Sequence, residues 1–142
     1  MRLTVKAKGT KEIIDNLKKY DEETQVKVGT VINNSLKAIA KGMRSRLPKK
    51  MTGNLRKGIK KSFSKKKLVG SARATAPHSH LIEFGTRPHV ISARRKKVLA
   101  IKGNVVGKKV MHPGAKAKPF MQPAFYAEKN NYIANLEKAV KP

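Results

Sequence analysis

In the opening residues, "MRLTVKAKG", apolar Leu3, Val5 and Ala7 alternate with Thr4, Lys6 and Lys8 until Gly9. That period of two predicts a half-buried strand. Thr10 can cap a short helix carrying Ile13, Ile14 and Leu17. Asp21 can cap a longer one, with Glu22 and Glu23 at the positive end of its dipole. Val28, Ile32, Ile39, Met43 and Leu47 recur at helical spacing and form one apolar stripe, and Pro48 stops the helix near Leu47.

"LPKKMTGNLRKGI" then breaks the pattern, with Thr52 able to cap a single turn. Ile59–Lys65 and Leu68–Arg73 read as strands of a hairpin around "SKKK". Pro77 opens a short helix at a favoured first position, and Gly85 closes it as a natural left-handed C-cap. No helical period appears from Thr86 to Pro119. There, "KKVLAI" and "VVGKKVM" pair around "KGN", a hairpin inside a basic stretch that projects as an arm. "HPGAKAKPFMQP" is extended chain. A last helix covers about Met121 to Ala139, its apolar face carried by Phe125, Tyr132, Leu136 and Val140 and weakened by Asn130 and Asn131. The whole predicts one domain, 1–142, containing an extended basic arm over 86–119.

Charge changes the picture more than composition does. The chain has 34 basic and 8 acidic residues, a net charge of +26. Twenty-five of the basic residues lie between Thr24 and Ala127, where Glu83 is the only acid. A chain so cationic repels itself unless a polyanion or an acidic partner neutralises it. Nucleic acid is the first candidate and an acidic protein surface the second. With no cysteine, disulfides and thiolate metal sites are excluded, which fits a reducing cytoplasm. No apolar run approaches the roughly 18 residues of a membrane span, and the N-terminus lacks the apolar stretch of a signal peptide.

The residues point away from catalysis and cofactors. One acid in the basic middle leaves no carboxylate pair. His78 and His80 stand two apart, on different helix faces, and neither they nor His89 and His112 have the partners of a zinc site. "GNVVGKK" has three residues between its glycines where a phosphate loop needs four, and Lys109 stands where that loop needs Ser or Thr. Aromatics at 5% give no base-stacking sheet, and the cations are spread over several elements. Any nucleic acid is therefore expected to be met through its phosphates.

Three segments in order, "TGNLRKGI", "VGSARATAPHSHLIEFGTRPH" and "HPGAKAKPFMQPAF", carry a resemblance. With Glu-Phe-Gly-Thr at 83–86 and Pro-Phe-Met-x-Pro-Ala at 119–124 as its clearest motifs, the stretch from about 28 to 140 resembles the HK97 gp10 family of tailed-phage proteins. The chain departs from the family in placing His78 and His80 ahead of "EFGT". The resemblance implies an α+β fold. With the elements above, that means a small mixed sheet packed on a long helix in the N-terminal half and on a C-terminal helix, plus the basic β-hairpin arm. It also implies a structural virion protein without enzymatic activity or cofactor, made in the bacterial host cytoplasm and placed at the head–tail junction as a neck, joining or tail-completion component. Members assemble as rings around the DNA path. The expected partners are further copies of the chain (six or twelve, with six favoured), adjacent head-completion and tail-terminator or tail-tube proteins, and double-stranded DNA passing through.

Against that background, Glu83 is expected to make an inter-subunit or buried contact, or else a local pair with Arg87 or a plain helix-surface charge. On the first reading, Glu83→Gln impairs ring formation and leaves the monomer's folding nearly intact. Phe84, Arg87, Phe120 and Met121 are the other candidate subunit contacts. Arg94, Arg95, Lys96, Lys97, Lys102, Lys108 and Lys109 on the arm are candidates either to line a DNA channel or to meet acidic surfaces of adjacent rings. A free cytoplasmic, sequence-independent nucleic-acid binder is the competing function, and it leaves both motifs unexplained.

Overall fold

The apolar period of the N-terminal half folds as a 24-residue helix, α1 (Glu22–Ser45), with Glu22 and Glu23 in its first turn and Arg44 in its last. Both placements suit the helix dipole. The structure, a computed structural model, describes residues 3–5, 22–48, 53–93, 99–101 and 104–141. The Thr10, Asp21 and Thr52 caps, Ala7, and the short helix of Ile13, Ile14 and Leu17 lie outside the described residues. The buried stripe of α1 is Val28, Ile32, Leu36, Ala40 and Met43. Ile39 and Leu47 pack at its margin, partly buried, and Leu47 falls beyond the last turn.

Above α1 lies a sheet in the order β1-β3-β2, formed by β1 (Leu3–Val5), β2 (Ile59–Ser64) and β3 (Val69–Ala74). The expected mixed sheet is antiparallel in every described pairing. β2 and β3 are joined by the tight turn Lys65–Leu68, and parallel pairing needs a long crossover that this connection does not provide. Register puts Ile59, Lys61 and Phe63 opposite Ala74, Ala72 and Gly70 on the face toward α1. Gly70 is a point of close approach, since a Cβ there would stand 2.2 Å from Leu36 Cδ1. A one-turn helix, α2 (Gly53–Lys57), buries Leu55 beneath the start of β2. The Arg44 guanidinium donates a 2.7 Å hydrogen bond to the Ile59 carbonyl, tying the end of α1 to the same place.

The C-terminal helix, α4 (Met121–Val140), runs along α1. At Gly42 the helices come so close that a Cβ would meet Ala124 Cβ at 3.3 Å. Leu136 is buried, whereas Phe125, Tyr132 and Val140 are half-buried. Between sheet and α4 sits α3 (Ser79–Phe84), followed by the arm. In the arm β4 (His89–Ser92) pairs with β7 (Lys109–His112), and β5 (Leu99–Ile101) with β6 (Asn104–Gly107). The "VVGKKVM" run is thus divided, with β6 facing β5 and β7 facing β4. Gly107 at φ +120 and a register shift at Leu99/Ala100 interrupt the ladder where the two ribbons meet. The β4–β7 pairing is new relative to the sequence reading.

Candidate assembly site at the arm root

Helix α4 begins with a capping problem. The side chain of Phe120, at its N-cap, makes no hydrogen bond there, and an aromatic ring has no acceptor to offer. The first four backbone N–H groups of a helix lack internal partners. Here the fourth, at Pro123, does not exist, because proline has no N–H. The other three are taken by one side chain. Glu83 Oε2 accepts from Phe120 N at 2.8 Å and Met121 N at 2.9 Å, and Glu83 Oε1 accepts from Gln122 N at 3.0 Å.

This carboxylate is 3% exposed, and Phe120 and Met121 are fully covered. Its charge also faces the positive end of the α4 dipole. The lone acid of the basic middle is therefore an N-cap delivered from another helix, across 37 positions of sequence.

The same two motifs are joined by main chain. Ile82 O accepts from Lys118 N at 2.8 Å, and Thr86 and Ala115 exchange a pair of backbone bonds at 2.9 and 3.1 Å. Both crossing points are glycines with positive φ. At Gly85 (φ +74) a Cβ would meet Ala115 O at 2.5 Å, and at Gly114 (φ +86) it would meet Thr86 O at 2.3 Å. Gly85 has ψ −173, so it closes α3 in an extended conformation open to glycine and not as the expected left-handed cap. "EFGT" and "HPGAKAKPFMQP" thus form one latch that holds the two ends of the arm together.

Just above the latch, His89 and His112 are cross-strand partners with rings 5.1 Å apart. His89 Nδ1 bonds to Arg87 O at 2.9 Å, and His112 Nδ1 accepts from Gly114 N at 3.0 Å. In the short helix, His80 Nδ1 is buried without a hydrogen-bond partner among the described residues.

Of the candidate subunit contacts, Glu83, Phe120 and Met121 lie inside the protomer, and the carboxylate's three bonds are all internal. Glu83 does not pair with Arg87, which is exposed. Phe84 is 59% exposed and Leu81, on the same helix, 41%. On the arm, Val90 and Met111 are direct cross-strand partners, 52% and 66% exposed. Lys108 and Lys109 are exposed there as well, while Arg94, Arg95, Lys96, Lys97 and Lys102 lie outside the described residues. The capping role was missed by sequence reasoning, although a signal existed. A helix starting "PFMQPA" has an aromatic ring at its N-cap in place of a capping acceptor, and Glu83 was the one unexplained carboxylate.

A model of the HK97-gp10-like family, described as "Bacteriophage HK97-gp10, putative tail-component", matches residues 11–85, just over half of the chain. The match covers α1, the β2–β3 hairpin and α3 and ends at Gly85, leaving the arm and the "KPFMQPA" motif outside it. No curated protein and no solved structure matches the chain.

Proposed function

The chain belongs to the HK97-gp10-like family of bacteriophage tail components, and from that premise we propose that it is a neck or tail-completion protein that forms a ring around the DNA path at the head–tail junction. A phage structural role follows from the family; the position, the ring and the DNA path are our reading. What supports them is the arm and its root. A two-stranded ribbon has no core of its own and is marginal in water by itself. This one leaves Val90 and Met111 in solvent on one face, and α3 at its root leaves Leu81 and Phe84 exposed as well. Neighbouring copies would cover these side chains. Arm-to-domain contact is head-to-tail, the geometry that closes a ring when its rotation is right.

The latch gives this arrangement stiffness, because Glu83 and the Thr86–Ala115 pair fix the arm's root to the domain. In a ring of six copies, favoured here over twelve, the lysines of the arm would face either DNA or acidic surfaces of adjacent head-completion and tail-terminator or tail-tube rings. Among the described residues no helix is long and apolar enough to cross a membrane.

Light scattering and electron microscopy of the purified protein test the proposal, with salt raised to screen the +26 charge. Rings are expected for the parent chain. Phe84→Ser should abolish them with the melting temperature held, since surface substitutions typically change stability by only about 0.5 kcal/mol. A parent chain that stays monomeric under all salts, with phage lacking the gene still producing joined particles, would refute the reading. A monomer that binds nucleic acid without ordered assembly would favour the free binder.

A further inference from the structure

We propose that the outer face of the β2–β3 hairpin, away from α1, docks on the phosphate backbone of double-stranded DNA. This surface is distinct from the arm, and the proposal holds wherever in the virion the chain sits. Register places three cross-strand pairs on that face: Lys60 with Arg73, Ser62 with Ser71, and Ser64 with Val69. The first pair sets two cations directly opposite each other. Like charges in that position destabilise a sheet, and none of the cations on this face has an ion-pair partner among the described residues.

Arg73 of this unfavourable pair is moreover held in place. Arg73 Nη2 donates to Ser62 Oγ at 2.8 Å, and Ser62 Oγ and Ser71 Oγ lie 2.8 Å apart. The guanidinium is thus spread across the strands by hydroxyls, with donors left over. An anion bridging Lys60 and Arg73 would turn the repulsion into attraction. Lys65, Lys66 and Lys67, all exposed in the turn, extend the positive strip at one end.

The chemistry fits phosphates and not bases. Cations and hydroxyls are the side chains that contact sugar-phosphate backbone. The aromatic ring of this hairpin, Phe63, points the other way, toward Gly29 of α1, so no stacking platform exists for single strands. Six paired positions span about 20 Å, roughly six phosphates of one strand along the duplex axis. The strip is long and regular enough to follow a backbone, and too poor in apolar surface to be the centre of a stable protein interface.

The test is a salt titration of the full chain against a duplex of about 30 base pairs. Each phosphate contact adds about 0.9 to the slope of log affinity against log salt. The double variant Lys60→Gln/Arg73→Gln should lower that slope by about 1.8, so between about 50 and 200 mM salt its affinity falls about tenfold less than the parent's. Should that variant fold poorly, acetylation of the parent chain reads the same contact. Lys60 should be protected by duplex, whereas Lys37 and Lys41 on α1 should not. An unchanged slope in a folded double variant, or equal acetylation of Lys60 with and without duplex, overturns the proposal. So does protection of Lys60 by polyglutamate and not by DNA, which would assign the face to an acidic protein. Ring formation is scored separately in the same samples, so loss of the DNA face and loss of the assembly reading are distinguishable.

Discussion

Glu83→Gln removes one charge and almost no volume, at a position where the geometry makes the consequence calculable. The glutamine carbonyl can keep the two bonds that Oε2 now accepts, from Phe120 N and Met121 N. Its amide nitrogen then points a donor at the Gln122 N–H, which loses its acceptor. Hydrogen bonds to a charged partner contribute about 1.5–3 kcal/mol and neutral ones about 0.5–1.5, so two retained bonds weaken by about 1 kcal/mol each. The orphaned donor adds about 1–3 kcal/mol, and the lost charge at the helix dipole about 0.5. A loss of about 3.5–5.5 kcal/mol is expected, a large part of the roughly 5–15 that holds a domain together. For a chain of this size that lowers Tm by roughly 12–18 °C. Circular dichroism melts measure it, and hydrogen exchange at the amides of Phe120, Met121 and Gln122 locates it, since these three should lose protection first. A Tm within about 3 °C of the parent, with those amides still protected, would refute the capping argument. The expectation drawn from sequence ran the other way, toward intact folding and impaired assembly. Three internal bonds reverse it.

Gly114→Ala forces a Cβ to within 2.3 Å of the Thr86 carbonyl oxygen at positive φ, and should cost about 2–3 kcal/mol, read as a lower urea midpoint. Faster exchange confined to residues near the Thr86–Ala115 pair would accompany it, and an unchanged midpoint would show that the latch is not rigid. Burial pushes the Tyr132 phenol above its ordinary value. The folded state then holds that proton more tightly than the unfolded chain, so its contribution is fully present below the ordinary phenol value near 10 and disappears as pH rises through the folded one. Tyr132→Phe should flatten the decline in Tm with alkaline pH, and parallel curves for parent and variant would dismiss Tyr132 as the cause.

Local pattern made much of this fold legible. Helix α1 came from its apolar spacing and the β2–β3 hairpin from two short runs around lysines, because each is decided by neighbours in sequence. The family resemblance came the same way, from short motifs, and the family match extends to residue 85. Where local patterning was weak, as across the arm, the reading paired β6 and β7 with one partner when each has its own. That choice depends on Gly107 and a register shift, which alternation does not encode.

Glu83 marks the boundary most clearly. Sequence alone established that one carboxylate persists in a long basic stretch, and it named "EFGT" and "KPFMQPA" as the clearest motifs of a family resemblance. Only the tertiary structure brought the acid to the start of the C-terminal helix, because a hydrogen bond depends on distances of about 3 Å that 37 residues of intervening chain leave open. The outer face of the hairpin was settled in the same way: Lys60 and Arg73 are thirteen positions apart in sequence, and become a repelling pair only once the strands are in register.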